Sequence, residues 1–197
     1  MNHWSRLEAE RAFLHTEKER GANMAVLEVP LLLETGGGMV KAAPMIDADP
    51  FLVVNSDNLW IDGPADTLKL LASHWDGNRM DALLLVVPHA RAQNHRGMGD
   101  FHMERSGRLR RREKARVAPF VFTGIQIVSK RLLDGAPEGP FSTNILWDRA
   151  IEAGRCFGAV HQGLAAVDVE VVRRLVEDQD VRPAKSGDRE QESRFLA

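Results

Sequence analysis

"PFLVVNSD", residues 50–57, is the stretch on which the fold turns. An unbroken apolar run, cut off abruptly by Asn55, reads as a short strand buried on both faces of a parallel sheet. Parallel neighbours need a crossover between them, usually a helix. The following residues supply one, because residues 64–75 set Leu68, Leu71 and Trp75 on one helical face with Pro64 near the start. "DALLLVVPH", residues 81–89, is then a second buried strand.

Upstream lies "LLLETGGGMVKAAP", residues 31–44, read as a strand ending at Glu34, a glycine turn, and a short helix stopped before Pro44. Glycine costs about 1 kcal/mol against alanine inside a helix. Three together therefore predict a backbone that turns sharply, or one that another group must approach closely. Residues 6–20 form a short amphipathic helix by spacing.

Downstream, residues 100–117 alternate in character and turn at Ser106–Gly107, a hairpin signature. "PFVFTGIQIVSKRLL" gives a long strand broken at Thr123–Gly124. "FSTNILWDRAIEAGR" gives a helix, capped by Ser142 or Thr143 and ended by Gly154. A helix-like segment covers 169–177, and the polar tail 180–197 is expected to be disordered. Helices alternating with strands, plus one hairpin, predict an α/β fold with a mixed sheet, in a single domain over 1–179.

Composition excludes several classes. The 197 residues suit one domain with a substantial core, and a net charge of −2 gives no general pull toward nucleic acid or an acidic membrane. A single cysteine, Cys156, rules out an intramolecular disulfide or a cysteine metal cluster. The apolar runs are far short of the roughly 20 residues that span a bilayer, and the polar N-terminus has no signal-peptide pattern. The expectation is a cytoplasmic protein without membrane partners.

Acidic residues at strand ends are the first candidates for chemistry. Asp57 follows a buried strand, where open α/β sheets bind ligands, and with Asn55 it could hold Mg2+ against a phosphate. The segment from Asn55 to Asn58 reads equally as a plain turn. The glycines offer backbone N–H groups to an anion or a flat base edge, with a tight turn as the default. Asp100 follows Gly97 and Gly99 at the start of a strand. Asp168 reads first as the N-cap of the segment that follows it. Six basic residues at 108–116 suggest a hairpin edge guarded by charge rather than a nucleic-acid surface, since no aromatics are interleaved. Cys156 reads as packing.

Together "LLLETGGGMVKAAP", "FLVVNSDNLW", "GMGDF", "FVFTGIQIVSK" and "FSTNILWDRAIEAG" resemble, in order, the sugar-1-phosphate nucleotidyltransferases. The branch they are most similar to is the N-acetylmuramate α-1-phosphate uridylyltransferases, often described as mannose-1-phosphate guanylyltransferase-like. The resemblance runs over residues 28–163. It implies a Rossmann-like sheet flanked by helices that joins a nucleoside triphosphate, here UTP, to a sugar 1-phosphate and releases pyrophosphate, with Mg2+ as cofactor. By that resemblance Thr35, Gly36, Gly37 and Gly38 form a turn against the base, and Asp57 is the catalytic, metal-holding aspartate. Asn55, Gly99, Asp100, Thr123 and Gly124 fall on the sugar-phosphate side.

Two departures qualify it. The family opens with a strand and a signature close to L-A-A-G-x-G-x-R-M-x-P-L-T, which wraps the triphosphate, and nothing in this sequence matches it. The chain starts roughly where that first βαβ unit should be finishing, so the sheet is expected to be incomplete at its N-terminal edge. Where the family reads W-F-D-V-G-T-P, this chain reads "GLAAVDVEVV", with Asp168 as the displaced second metal aspartate. The expectation is a nucleotidyltransferase with little or no turnover as written. The alternative is a non-catalytic remnant that binds nucleotide or sugar weakly, or serves as an interaction partner.

Overall fold

The computed structural model describes residues 32–55, 58–93, 95–161 and 164–166. The helices expected over 6–20 and 169–177, the tail 180–197, and both Asp57 and Asp168 lie outside the described residues. The first element is helix α1, Glu34–Ala42, continued by a 3₁₀ turn over Ala43–Met45. The three glycines therefore sit inside a helix rather than in a turn ahead of one, and Leu33 precedes the helix without being a strand residue.

The reason is tertiary. The amides of Gly36 and Gly37 both donate to the Phe141 carbonyl, at 2.9 and 3.2 Å. A Cβ on Gly36 would overlap the Phe141 ring and stand 2.7 Å from its carbonyl oxygen, and one on Gly37 would overlap the Gly139 carbonyl oxygen. The helix gives up propensity there to lie directly on the 139–141 backbone.

Strand β1, Phe51–Val54, runs antiparallel to β7, Phe120–Val128, pairing Phe51 with Val128 through Val54 with Ile125. It is not buried on both faces: Leu52 is 44% and Val54 41% exposed. No strand lies on its other side among the described residues, so half of its apolar surface faces outward. On the opposite side of β7 runs β3, Ala82–Pro88, antiparallel to it, and β8, Cys156–Val160, lies parallel to β3. β1, β3 and β8 thus point the same way, and their carboxyl ends fall at one end of the sheet.

The hairpin is as expected, with β5 at Phe101–Met103 and β6 at Leu109–Arg111, and Gly107 at φ +85° in its turn. β5 joins β7 at Phe101–Phe120, giving the order β6-β5-β7-β3-β8 with β1 beside the other half of β7. β7 is continuous rather than broken at Thr123–Gly124; the irregularity there is a register shift opposite Leu84 and Val86. A second, three-stranded sheet of β2 (Leu59–Ile61), β9 (Leu164–Ala166) and β4 (Ala92–Gln93) was not legible in the sequence.

Helix α2, Thr67–Ser73, begins three residues later than Pro64. Asp66 caps it, its carboxylate accepting from the amides of Leu68 and Lys69. The Lys69 amide and side chain hold the Asp66 carboxyl below its usual range. Helix α3, Asn144–Glu152, is followed by Gly154 at φ +66°. The sheet has a helix layer on each face. Leu84, Val86, Phe101 and Trp147 pack with α1 and α3 on one side; Leu83, Leu85, Ile125 and Leu71 pack with α2 on the other. Of the described helices, none is long and apolar enough to cross a membrane.

The amino ends of β3 and β8 are locked by charge. Asp81 Oδ1 accepts from Arg131 Nε at 2.6 Å and Arg155 Nε at 2.8 Å, and both guanidiniums also donate to carbonyls of the 77–80 loop. The opposite, carboxyl end of the sheet carries the candidate residues.

Candidate functional site

A groove of about 380 Å³ runs between α1 and β1, lined by Thr35, Gly38, Met39, Phe51, Asn55 and Gln126 among others. Each wall follows from the fold just described. Because Gly36 and Gly37 press on the 139–141 loop, the groove side of α1 presents Thr35 and Gly38. A Cβ on Gly38 would meet nothing within 4 Å. Of the four residues assigned to the base, the structure therefore brings two to the groove and turns two away. Thr35 also ties the helix starts together, its hydroxyl accepting from the Thr143 hydroxyl at 2.9 Å.

Asn55 stands where β1 ends, its amide donating to the Gly124 carbonyl at 2.9 Å. Gly124, at φ +80°, has no room for a side chain, since a Cβ would overlap the Asn58 amide and stand 3.1 Å from Asn55 Cβ. The pair predicted on the sugar-phosphate side is thus held in direct contact. Thr123 is different: it is buried, and its hydroxyl donates to the Leu85 carbonyl at 2.9 Å, bracing β7 on β3.

A second cleft, about 330 Å³, is lined by Gly99, Asp100, Arg111, Arg112, Asn144 and Asp148. Gly99, at φ +78°, lies so close to Ala118 that a Cβ would overlap its carbonyl oxygen. Asp100 is fixed by β7, its Oδ2 accepting from the Phe122 amide at 2.9 Å. Arg111 crosses from the hairpin to α3: Nε meets Asp148 Oδ1 at 2.5 Å, Nη2 donates to the Asn144 carbonyl and side-chain oxygens, and the guanidinium lies over Phe101 and Trp147. Sequence reasoning missed Arg111, Arg112 and Gln126, because each sits inside a run whose local meaning, basic edge or apolar strand, is complete without a ligand.

The basic run is laced with partners, Arg110 with Glu104 and Arg116 with Glu113 in addition to Arg111 with Asp148. A labelled DNA or RNA oligomer is therefore expected to show no salt-sensitive binding near physiological ionic strength. Submicromolar affinity, lost on joint Arg110→Ala and Arg112→Ala substitution, would contradict this.

At the same end of the sheet, Thr67 donates its hydroxyl and amide to Asp62 and holds that carboxyl below its usual range. The Thr67 oxygen also meets buried His161 Nδ1 at 3.3 Å. Burial pushes the Cys156 thiol up to about 12, so it is packing material rather than a nucleophile. Among the described residues no group of three or more His, Cys, Asp or Glu could hold a metal ion. The β2–β9 ladder pairs Leu59 with Ala166 and Ile61 with Leu164.

No family model matches the chain. Over 132 residues, 67% of its length, it is 32% identical to the N-acetylmuramate alpha-1-phosphate uridylyltransferase of Caulobacter vibrioides. That alignment covers 54% of the relative, so the chain spans about half the length of the curated protein it matches. Among solved structures it is similar to HddC from Yersinia pseudotuberculosis, with TM-score 0.60 and 19% identity over 86% of this chain and 72% of that one. It is also similar to a UDP-glucose pyrophosphorylase complexed with UDP-glucose, with TM-score 0.57 and 10% identity over 79% of this chain and 66% of that one.

Proposed function

Because the chain fits the sugar-1-phosphate nucleotidyltransferase family, we propose that its strand-end groove receives UTP and its second cleft a sugar 1-phosphate. The observation that carries this reading is the convergence of Thr35, Gly38, Asn55, Gly124 and Asp100 on the carboxyl ends of parallel strands. The Caulobacter relative's name supplies the sugar proposed, N-acetylmuramate α-1-phosphate.

In the reaction, a phosphate oxygen of the sugar phosphate forms a bond to the α-phosphorus of UTP, the bond from that phosphorus to the β-phosphate oxygen breaks, and pyrophosphate leaves. The chain's contribution is placement. Gly38 lets the base lie against a bare helix face, and Asn55, held against Gly124 where β1 ends, stands at the junction of the two substrates. Asp100, held by the Phe122 amide, offers an acceptor to sugar hydroxyls.

Asp57 and Asp168 would hold Mg2+, which, when bound, offsets the negative charge on the phosphates. The family resemblance alone proposes this pair, and both residues lie outside the described residues.

The test is calorimetric titration of UTP with Mg2+ into the chain and into Gly38→Val. The Cβ of a valine there would meet nothing within 4 Å, so the variant is expected to melt like the parent and to bind UTP at least about tenfold more weakly. Equal affinity in both would remove the groove as the nucleotide site.

A further inference from the structure

The groove floor is apolar, built from Met39, Ala42, Ile46, Phe51 and Val53, with one exception. Gln126, on β7 between Val53 and Leu84, is 2% exposed, yet its side chain lines the groove. Its Oε1 accepts from Trp147 Nε1 at 2.9 Å. An indole N–H can only donate, so the amide oxygen must face Trp147 and the NH2 must point elsewhere. Among the described residues nothing accepts from that NH2. That NH2 opens onto the groove rather than being an orphaned buried donor, since among the described residues His95 Nε2 is the one fully buried side-chain polar atom without a partner. The hydroxyls of Thr35 and Thr143 on the same wall are already bonded to each other.

Trp147 is itself buried, 7% exposed and packed edge-on against Phe101 at 6.0 Å and Phe122 at 4.7 Å between ring centroids. The amide is thus oriented from behind, with its donor face toward the space where Thr35 and Gly38 also point. We infer that Gln126 is a specificity residue, reading a carbonyl oxygen of the nucleobase with a donor whose direction Trp147 sets. The inference rests on the nucleotide reading above and names what in the groove chooses the base. At ring position 4, uracil presents a carbonyl oxygen and cytosine an amino group. A fixed donor accepts the first and leaves two donors facing each other in the second.

The experiment compares UTP and CTP affinities, each with Mg2+, by calorimetry on the full chain. The unsubstituted protein is expected to favour UTP at least about tenfold. The double variant Gln126→Leu/Trp147→Phe removes donor and orienting group together, so neither is left buried without a partner, and the ratio is expected to fall to about twofold or less. Trp147→Phe alone keeps the amide but frees it to turn, and the ratio is expected to fall between these values. Melting curves establish that each variant is folded.

A ratio unchanged in a folded double variant would overturn the inference, as would equal affinities in the unsubstituted chain, with the nucleotide reading still standing. Weakened binding of a sugar 1-phosphate with the UTP-to-CTP ratio intact would assign the amide to the sugar and also overturn it. Binding of neither nucleotide to the unsubstituted chain would overturn the nucleotide reading, and this inference with it.

Discussion

Gly37→Val is expected to cost the protein about 3 kcal/mol or more, seen as a melting temperature lowered by roughly 10 °C, while Gly38→Val one position away leaves it unchanged. The two glycines look alike in the sequence and differ only in what faces them. A Cβ on Gly37 would overlap the Gly139 carbonyl oxygen and stand 3.3 Å from Leu33 Cβ, and those are backbone and near-backbone atoms that cannot rotate aside. Relief requires α1 to lift from the 139–141 loop, which breaks the bonds from the Gly36 and Gly37 amides to Phe141. On Gly38 the same side chain enters open space. Thermal denaturation of the two variants decides it; equal stability would mean that α1 does not lie on that loop.

The second large effect is expected at Asp57. The 197 residues alone should release little pyrophosphate from UTP and a sugar 1-phosphate, because nothing in them matches the loop that positions a triphosphate, and positioning is most of what such enzymes supply. Activity dependent on Mg2+ is expected when a Gly-rich loop with its lysine is joined upstream. There Asp57→Asn should lower the rate by about 100-fold or more, since the substitution keeps the shape and deletes the charge that draws the ion. Full activity of that variant in a pyrophosphate-release assay would place the metal elsewhere. Robust turnover by the 197 residues would mean that the phosphates are held by groups not named above.

What could be read from the sequence was local. The run of residues 81–89 is a strand because its apolar stretch is long enough to be buried from both sides, and Ser106–Gly107 is a turn because only glycine readily takes φ +85° there. Thr35–Gly38 were identified as special but misplaced. Their partner, Phe141, lies a hundred residues away, and local propensity contains no trace of it. The apolar pattern of Phe51–Val54 could not disclose that β1 has a neighbour on one side only. β2, β4 and β9 are two or three residues long, too short for any periodicity.

The site divides in the same way. Asn55, Gly99, Asp100 and Gly124 were visible because polar or glycine residues interrupt apolar runs at strand ends. Gln126 was hidden inside such a run, and only the tertiary contact with Trp147 gives it a direction. Arg111 was concealed by its basic neighbours, although its bonds to Asp148 and Asn144 set it apart from the solvated edge.

Backbone amide NMR signals followed while UTP and Mg2+ are added show whether a nucleotide lies in the groove between α1 and β1. Saturable shifts are expected at Thr35, Gly38, Asn55 and Gly124, with the signals of Asp81, Arg131 and Arg155 at the far end of the sheet unmoved. Shifts centred on that far end, or none at Thr35 and Gly38 when UTP is bound, would contradict it.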